Sequence, residues 1–167
     1  IDGNGRTLTI KEVESANNGS HIFYDGDYNI KNLTINMGES VNGIGITSGT
    51  ISNVTFIGGT DASGGAAIMV SDGIIADEHA GNVTIEGCTF KNNGAAISFE
   101  TAQNGLVVNN NTFEIPADAN VILLRGTEKF TNNTVISGRT VNVVSGSPVI
   151  TGNNFGNVRL KVYNDAT

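Results

Sequence analysis

A six-residue pattern recurs six times along the chain, and it constrains the fold more than any other feature. The copies align without gaps and begin 21, 34, 23, 22 and 20 residues apart. They occupy residues 30–35, 51–56, 85–90, 108–113, 130–135 and 150–155. Self-similarity at a period of roughly 20 to 50 residues is typical of repeat architectures. Each copy therefore predicts one structural unit of a stack.

The columns of this aligned pattern have separate physical meanings. Columns one and six always hold a large apolar residue, which predicts side chains that point into a core. Column three holds only Asn or Gly, the residue types that adopt a left-handed backbone conformation at low cost. We therefore expect a bend at the same phase of every repeat. The column-three residues are Asn32, Asn53, Gly87, Asn110, Asn132 and Gly152.

Column four changes character along the chain. Its first three residues are Leu33, Val54 and Cys88, and its last three are Asn111, Asn133 and Asn153. If the alternation of a strand turns this column inwards, the later repeats bury a stack of asparagines whose amides must bond to one another. Column five is Thr in five repeats and Asn154 in the sixth, and it should point outwards.

A third apolar segment follows each hexapeptide and completes the unit. Three short strands in each turn of about 22 residues, with a sharp bend at fixed phase, predict one coil of a parallel solenoid. We expect six to seven such coils in a single all-β domain over residues 1–167, without any segment of helical period. The third segments are residues 44–46, 68–70, 97–99, 122–124, 141–144 and 158–162.

These Asn-bearing corners and stacked apolar columns resemble the right-handed parallel β-helix, or pectin-lyase-like, family. The resemblance covers residues 28–163 and implies a single-stranded right-handed solenoid with three short strands per coil. It predicts function less closely, because proteins of this fold include lyases, hydrolases, isomerases, phage tailspikes and adhesins.

The composition excludes several classes of partner. The net charge of −7 disfavours nucleic acid, since phosphate binding requires clustered Lys and Arg. No apolar run reaches the roughly 18 residues of a membrane span. Cys88 is the only cysteine, which excludes an internal disulfide. The chain begins at Ile1, and we expect it to be excised from a larger secreted or cell-surface bacterial protein.

Residues 71–82 form the largest departure from the repeat and carry the candidate chemistry. This loop contributes two aspartates, a glutamate and a histidine, and the same phase of the next coils adds a glutamate and an arginine. Carboxylates gathered in this way would suit a general acid/base pair, or a Ca²⁺ site built from Asp72, Asp77 and Glu78. The simpler interpretation is a solvated loop whose charges never converge. The candidates are Asp72, Asp77, Glu78, His79, Glu100 and Arg125.

The motifs of pectin-degrading enzymes are missing from the sequence. It contains no Asn-Thr-Asp, Asp-Asp, Gly-His-Gly or Arg-Ile-Lys, and it has only four arginines. We therefore expect a non-catalytic, extracellular or cell-surface module that serves as an adhesin, a stalk or a carbohydrate-binding surface. Its expected partners are a polysaccharide or cell-surface glycan, flanking domains, or further copies stacked end to end. The alternative is a polysaccharide lyase or glycoside hydrolase that acts on an acidic polysaccharide.

Overall fold

The computed structural model describes residues 1–10, 21–23, 26–38, 42–59, 66–70, 82–99 and 101–163. Regular structure in these ranges consists entirely of strands, with no helix. The strands are β1 Asp2–Thr9, β2 His21–Phe23, β3 Asp27–Asn36, β4 Asn42–Ile46, β5 Ser48–Ile57, β6 Ala66–Val70, β7 Val83–Glu86, β8 Thr89–Lys91, β9 Ala95–Ser98, β10 Leu106–Asn109, β11 Thr112–Glu114, β12 Ile122–Leu124, β13 Lys129–Thr131, β14 Thr134–Ser137, β15 Thr140–Val143, β16 Val149–Thr151 and β17 Arg159–Val162.

The strands pair in parallel with their equivalents in the neighbouring coils. One ten-stranded sheet contains β1, β3, β5, β7, β8, β10, β11, β13, β14 and β16. The third strands of the coils form a four-stranded sheet, β2-β4-β6-β9, and a three-stranded sheet, β12-β15-β17. The fold is therefore the predicted parallel β-solenoid. It makes about five turns. The prediction of six to seven counted β1 and the β16–β17 segment as full coils, whereas they form the two ends of the stack.

The register follows the sequence columns. Ile30 pairs with Ile51, Ile51 with Ile85, and Ile85 with Val108, and the series continues through Phe130 to Ile150. The 34-residue interval that contains residues 71–82 leaves this register unchanged. β5 and β7, which flank this interval, therefore pair in the same columns as the other strands.

Every column-three residue has the predicted left-handed backbone. The φ angles are 56° at Asn32, 53° at Asn53, 61° at Gly87, 55° at Asn110, 56° at Asn132 and 69° at Gly152. Asn and Gly recur in this column because other residues would be strained at positive φ.

Columns one and six form the core. Phe56, Phe90 and Phe113 of column six are fully buried and nearly parallel, with ring centroids 5.2 and 4.9 Å apart. Such aromatic pairs contribute about 0.5–1.5 kcal/mol beyond the burial of their area.

The asparagines of column four form the predicted buried stack. The Nδ2 of Asn111 donates to Oδ1 of Asn133 at 3.1 Å, and Nδ2 of Asn133 donates to Oδ1 of Asn153 at 3.1 Å. Each amide also donates to the column-one carbonyl of the preceding coil, at Ile85, Val108 and Phe130 respectively. We call this series the asparagine ladder. It supplies the bonds that buried amides require.

Candidate binding face

A cleft of about 350 Å³ lies on the ten-stranded sheet, where β1 meets β3 and β5. The side chains of columns one and six point into the core, so those of column two point out of the sheet and reach the cleft. The amino-terminal residue is one of those that line it. The lining residues are Ile1, Asp2, Asn29, Ile30, Lys31, Thr50 and Ser52.

Two of the lining residues, Asp2 and Lys31, form an ion pair. The Lys31 Nζ is 3.4 Å from Oδ2 of Asp2, and the two residues are backbone partners of β1 and β3. The pKa of Asp2 lies below its ordinary value because the Asn4 N–H and the Asn32 amide donate to its carboxylate, and Lys31 adds attraction. Asp2 is therefore ionised at neutral pH and acts only as a hydrogen-bond acceptor.

Column two continues the polar surface beyond the cleft. It places one side chain on each successive strand, and Thr131 Oγ1 donates to Asn109 Oδ1 at 3.0 Å within it. Neighbouring strands lie about 4.8 Å apart, so the six steps between the seven residues of this row extend about 30 Å. We call these residues the column-two row. They are Asp2, Lys31, Ser52, Glu86, Asn109, Thr131 and Thr151.

The sequence-predicted loop site falls almost wholly outside the described residues. Five of the six candidates lie outside the described residues: Asp72, Asp77, Glu78, His79 and Glu100. Their roles, including the Ca²⁺ site, stay predictions. Arg125 is described. It is partly buried, and its Nε is a buried atom that has no hydrogen-bond partner in the described part of the chain.

Glu128 lies three residues from Arg125 and has a structural role. Its side chain is fully buried, and its carboxylate accepts hydrogen bonds from the N–H groups of Gln103 at 2.9 Å and Gly126 at 2.7 Å. The backbone N–H of Arg125 donates to the same carboxylate at 3.2 Å. A carboxylate held by three backbone donors and closed to solvent is not positioned to take a proton from a substrate. It fixes the turn between β12 and β13 to the preceding coil.

Cys88 is buried, as its inward column predicts. Burial raises the pKa of its thiol to about 12, although the N–H groups of Val54 and Asn53 partly offset that rise. The thiol is therefore protonated at neutral pH and is a poor nucleophile.

Neither a metal site nor a membrane-spanning helix occurs in the described ranges. Those residues contain no group of three or more His, Cys, Asp or Glu side chains placed to hold a metal ion. Nor do they include a helix with the length and apolar character needed to cross a membrane.

The cleft was not anticipated from the sequence. Residues 2–5 belong to β1, which pairs with β3 through a register shift between Asp2 and Arg6. The sequence feature that indicates a polar face here is column two, the second residue of each hexapeptide, which is polar in every repeat.

No protein-family model, curated protein or solved structure matches this chain. The fold assignment rests on strand order and register, and the candidate face rests on the geometry of the cleft.

Proposed function

We propose that this chain is a non-catalytic module of a secreted or cell-surface bacterial protein, of the pectin-lyase-like kind, that binds glycan on the column-two row. The cleft between β1, β3 and β5 is the observation that carries the proposal. Ligand sites are concave and combine apolar walls with a few convergent polar groups. Here Ile1 supplies apolar wall, and Asp2, Lys31 and Ser52 supply the polar groups.

The polar groups of the cleft match the hydrogen-bonding needs of a sugar. The ionised Asp2 carboxylate accepts from hydroxyl groups, the Lys31 ammonium donates, and the Thr50 and Ser52 hydroxyls do either. Lys31 also favours an acidic residue of the glycan, because the ammonium attracts a carboxylate. The length of the row suits an extended polysaccharide rather than a single small sugar.

The described residues favour binding over cleavage. The cleft holds one carboxylate, Asp2, already paired with Lys31, whereas glycoside hydrolysis ordinarily uses two carboxyl groups across the scissile bond. The buried acid Glu128 is engaged by backbone donors. A lyase or hydrolase centred on Asp77, Glu78 and His79 is the alternative that the experiment below separates.

The test is calorimetric titration with a panel of acidic and neutral polysaccharides, with and without Ca²⁺, together with an assay for new chain ends. We expect binding of an acidic polysaccharide without new chain ends. Ser52→Arg should fill the cleft and weaken binding about tenfold or more, a loss of about 1.4 kcal/mol per factor of ten.

Thr134→Arg is the matched control, because Thr134 is exposed on β14, away from the cleft. It should leave the affinity unchanged. Equal binding by the Ser52→Arg protein would place the ligand elsewhere. New chain ends would instead establish an enzyme and direct mutagenesis to Asp77, Glu78 and His79. If no polysaccharide of the panel binds, the glycan-binding proposal is wrong, and a structural stalk is the remaining interpretation.

A further inference from the structure

We propose that the polysaccharide bound on the column-two row carries acidic sugars separated by uncharged ones, with the acids about 19 Å apart. The inference rests on the proposed glycan site and names the charge pattern of its ligand. The order of charged side chains along the outward face of the ten-stranded sheet supports it.

Two columns of side chains point outwards from the first strand of each coil. One is column two, and the other is the residue directly before each hexapeptide, which we call column zero. Strand alternation places both on the side opposite to column one, whose side chains face the core. Parallel pairing aligns column zero across the coils just as it aligns column two. Column zero consists of Asn29, Thr50, Thr84, Val107, Lys129 and Val149.

From β3 to β16 these two columns hold three charged residues, and their signs alternate. Lys31 lies on β3, Glu86 on β7 and Lys129 on β13, and all three are exposed. β5 separates the first two strands, and β10 separates the last two. Because neighbouring strands lie about 4.8 Å apart, Glu86 is about 10 Å from each lysine across the sheet, and the lysines are about 19 Å apart.

The described part of the protein leaves most of this charge open to a ligand. Its ion pairs are Lys31–Asp2 and Lys91–Glu114, so neither Glu86 nor Lys129 is neutralised there. The Lys31–Asp2 pair is about half exposed, and such pairs contribute little, so a ligand carboxylate can replace Asp2 beside Lys31. The face therefore offers two cationic positions with an anionic one between them.

The anionic position selects against a carboxylate. The Glu86 carboxylate and a ligand carboxylate are both acceptors, so they form no hydrogen bond with each other and they repel. A hydroxyl of an uncharged sugar donates to Glu86 instead. Specificity thus comes from a repulsive group as well as from the two lysines.

The spacing of the lysines sets the spacing of the acids. An extended polysaccharide that runs along the solenoid axis advances by roughly one strand spacing per sugar, about 4.8 Å. Its acids meet Lys31 and Lys129 together when they are four sugars apart, with uncharged sugars between them. A polyuronate instead places a carboxylate at Glu86 in every register.

The experiment compares a gellan fragment two repeats long with a polygalacturonate fragment of equal length by calorimetric titration. Gellan has one uronate in each repeat of four sugars, whereas every sugar of polygalacturonate is a uronate. At an ionic strength of about 0.1 M the Debye length is about 10 Å, so each ligand charge responds mainly to the side chains beside it. We expect the gellan fragment to bind about fivefold more tightly, the size of one exposed charge interaction.

Glu86→Gln should remove this preference by tightening the binding of polygalacturonate about fivefold, with the affinity for gellan unchanged within about twofold. Asp118→Asn is the matched control, because it removes an exposed acid from the turn between β11 and β12. It should leave the preference intact.

Lys129→Gln should weaken the binding of the gellan fragment about fivefold, because the second uronate loses its partner. Arg139→Gln removes an exposed cation from the turn between β14 and β15 and should have no effect.

The outcomes separate this inference from the glycan site itself. Polygalacturonate that binds as tightly as gellan, and that Ser52→Arg weakens, would overturn the charge pattern and leave the site in place. A preference for gellan that Glu86→Gln does not change would also overturn it, because sugar identity would then be the cause. If neither fragment binds, the inference is wrong, and the wider panel of polysaccharides decides the glycan site.

Discussion

Two regions of column four form the same left-handed corner with different kinds of residue. At Leu33 and Val54 the column is apolar, and β3 and β5 each run unbroken for ten residues through the left-handed corner. At Asn111 and Asn133 the column is polar, and each coil is divided at the corner into two short strands, β10 and β11 or β13 and β14.

Hydrogen bonding accounts for the difference. In the first region Leu33 and Val54 are themselves backbone partners, so the parallel pairing of β3 and β5 continues across the bend. In the second, the backbone N–H of Asn111 donates to the side chain of Asn133 rather than to a strand. The asparagine amide thus replaces main-chain pairing where the strand is interrupted, and buried N–H groups remain satisfied.

Cys88 lies at the junction and combines both solutions. Its N–H donates to Oδ1 of Asn111 at 2.8 Å, as in the polar region. Its sulfur lies 3.5 Å from the Ile51 carbonyl, the place that Nδ2 takes in the later coils. The thiol is therefore a weakly bonded rung at the start of the ladder.

Asn133→Leu breaks the polar region and should have the largest effect. It removes the acceptor of the Asn111 N–H and Nδ2 and the donor to the Val108 carbonyl. Each unsatisfied buried group costs about 1–3 kcal/mol, so we expect a loss of about 4 kcal/mol in the free energy of unfolding. Urea denaturation measures it. Thr134→Val, at an exposed neighbouring position, should change the midpoint little, and equal effects would contradict the ladder as a source of stability.

Val54→Asn introduces the polar solution into the apolar region. The new amide would lie between Leu33 and Cys88, neither of which offers a strong side-chain acceptor or donor. Burial of an amide that lacks side-chain partners should cost about 1–3 kcal/mol. Val54→Ala separates this cost from the loss of volume. A Val54→Asn protein as stable as the unmodified one would show that the apolar part of column four also accepts a buried asparagine.

Cys88→Asn extends the ladder by one rung and should have the smallest effect. The new Nδ2 would meet the Ile51 carbonyl and Oδ1 of Asn111, and the new Oδ1 would meet the Val54 N–H. We expect no loss of stability and a gain of up to about 1 kcal/mol. Thermal and urea unfolding would test this. A loss above about 2 kcal/mol would mean that the thiol is required for its packing rather than as a substitute for an amide.

The fold was predictable because its signals are local and repeated. Asn32, Asn110 and Asn132 showed the bends, and the apolar residues of columns one and six showed the inward direction. The buried amides of Asn111 and Asn133 were also foreseen, because an inward Asn in a repeat has only its neighbours as partners. The number of turns was overcounted, since the terminal segments β1 and β16–β17 were counted as full coils.

The candidate face was less accessible to sequence reasoning. Asp2 and Lys31 lie 29 positions apart and meet only because β1 pairs with β3. Glu128 gave no sign of being held by the Gln103 N–H from the previous coil. The six catalytic and Ca²⁺ candidates remain predictions for the loop of residues 71–82, Glu100 and Arg125.

The sequence alone determined the stack: the period of the repeat, the left-handed corners and the apolar columns all follow from preferences of single residues and from strand alternation. The tertiary structure decided where strands continue or break, in which direction the asparagine ladder donates, and which side chains meet in the cleft. These features depend on pairing between residues about 20 or more positions apart, and hydrogen bonds across coils carry no signature within one repeat.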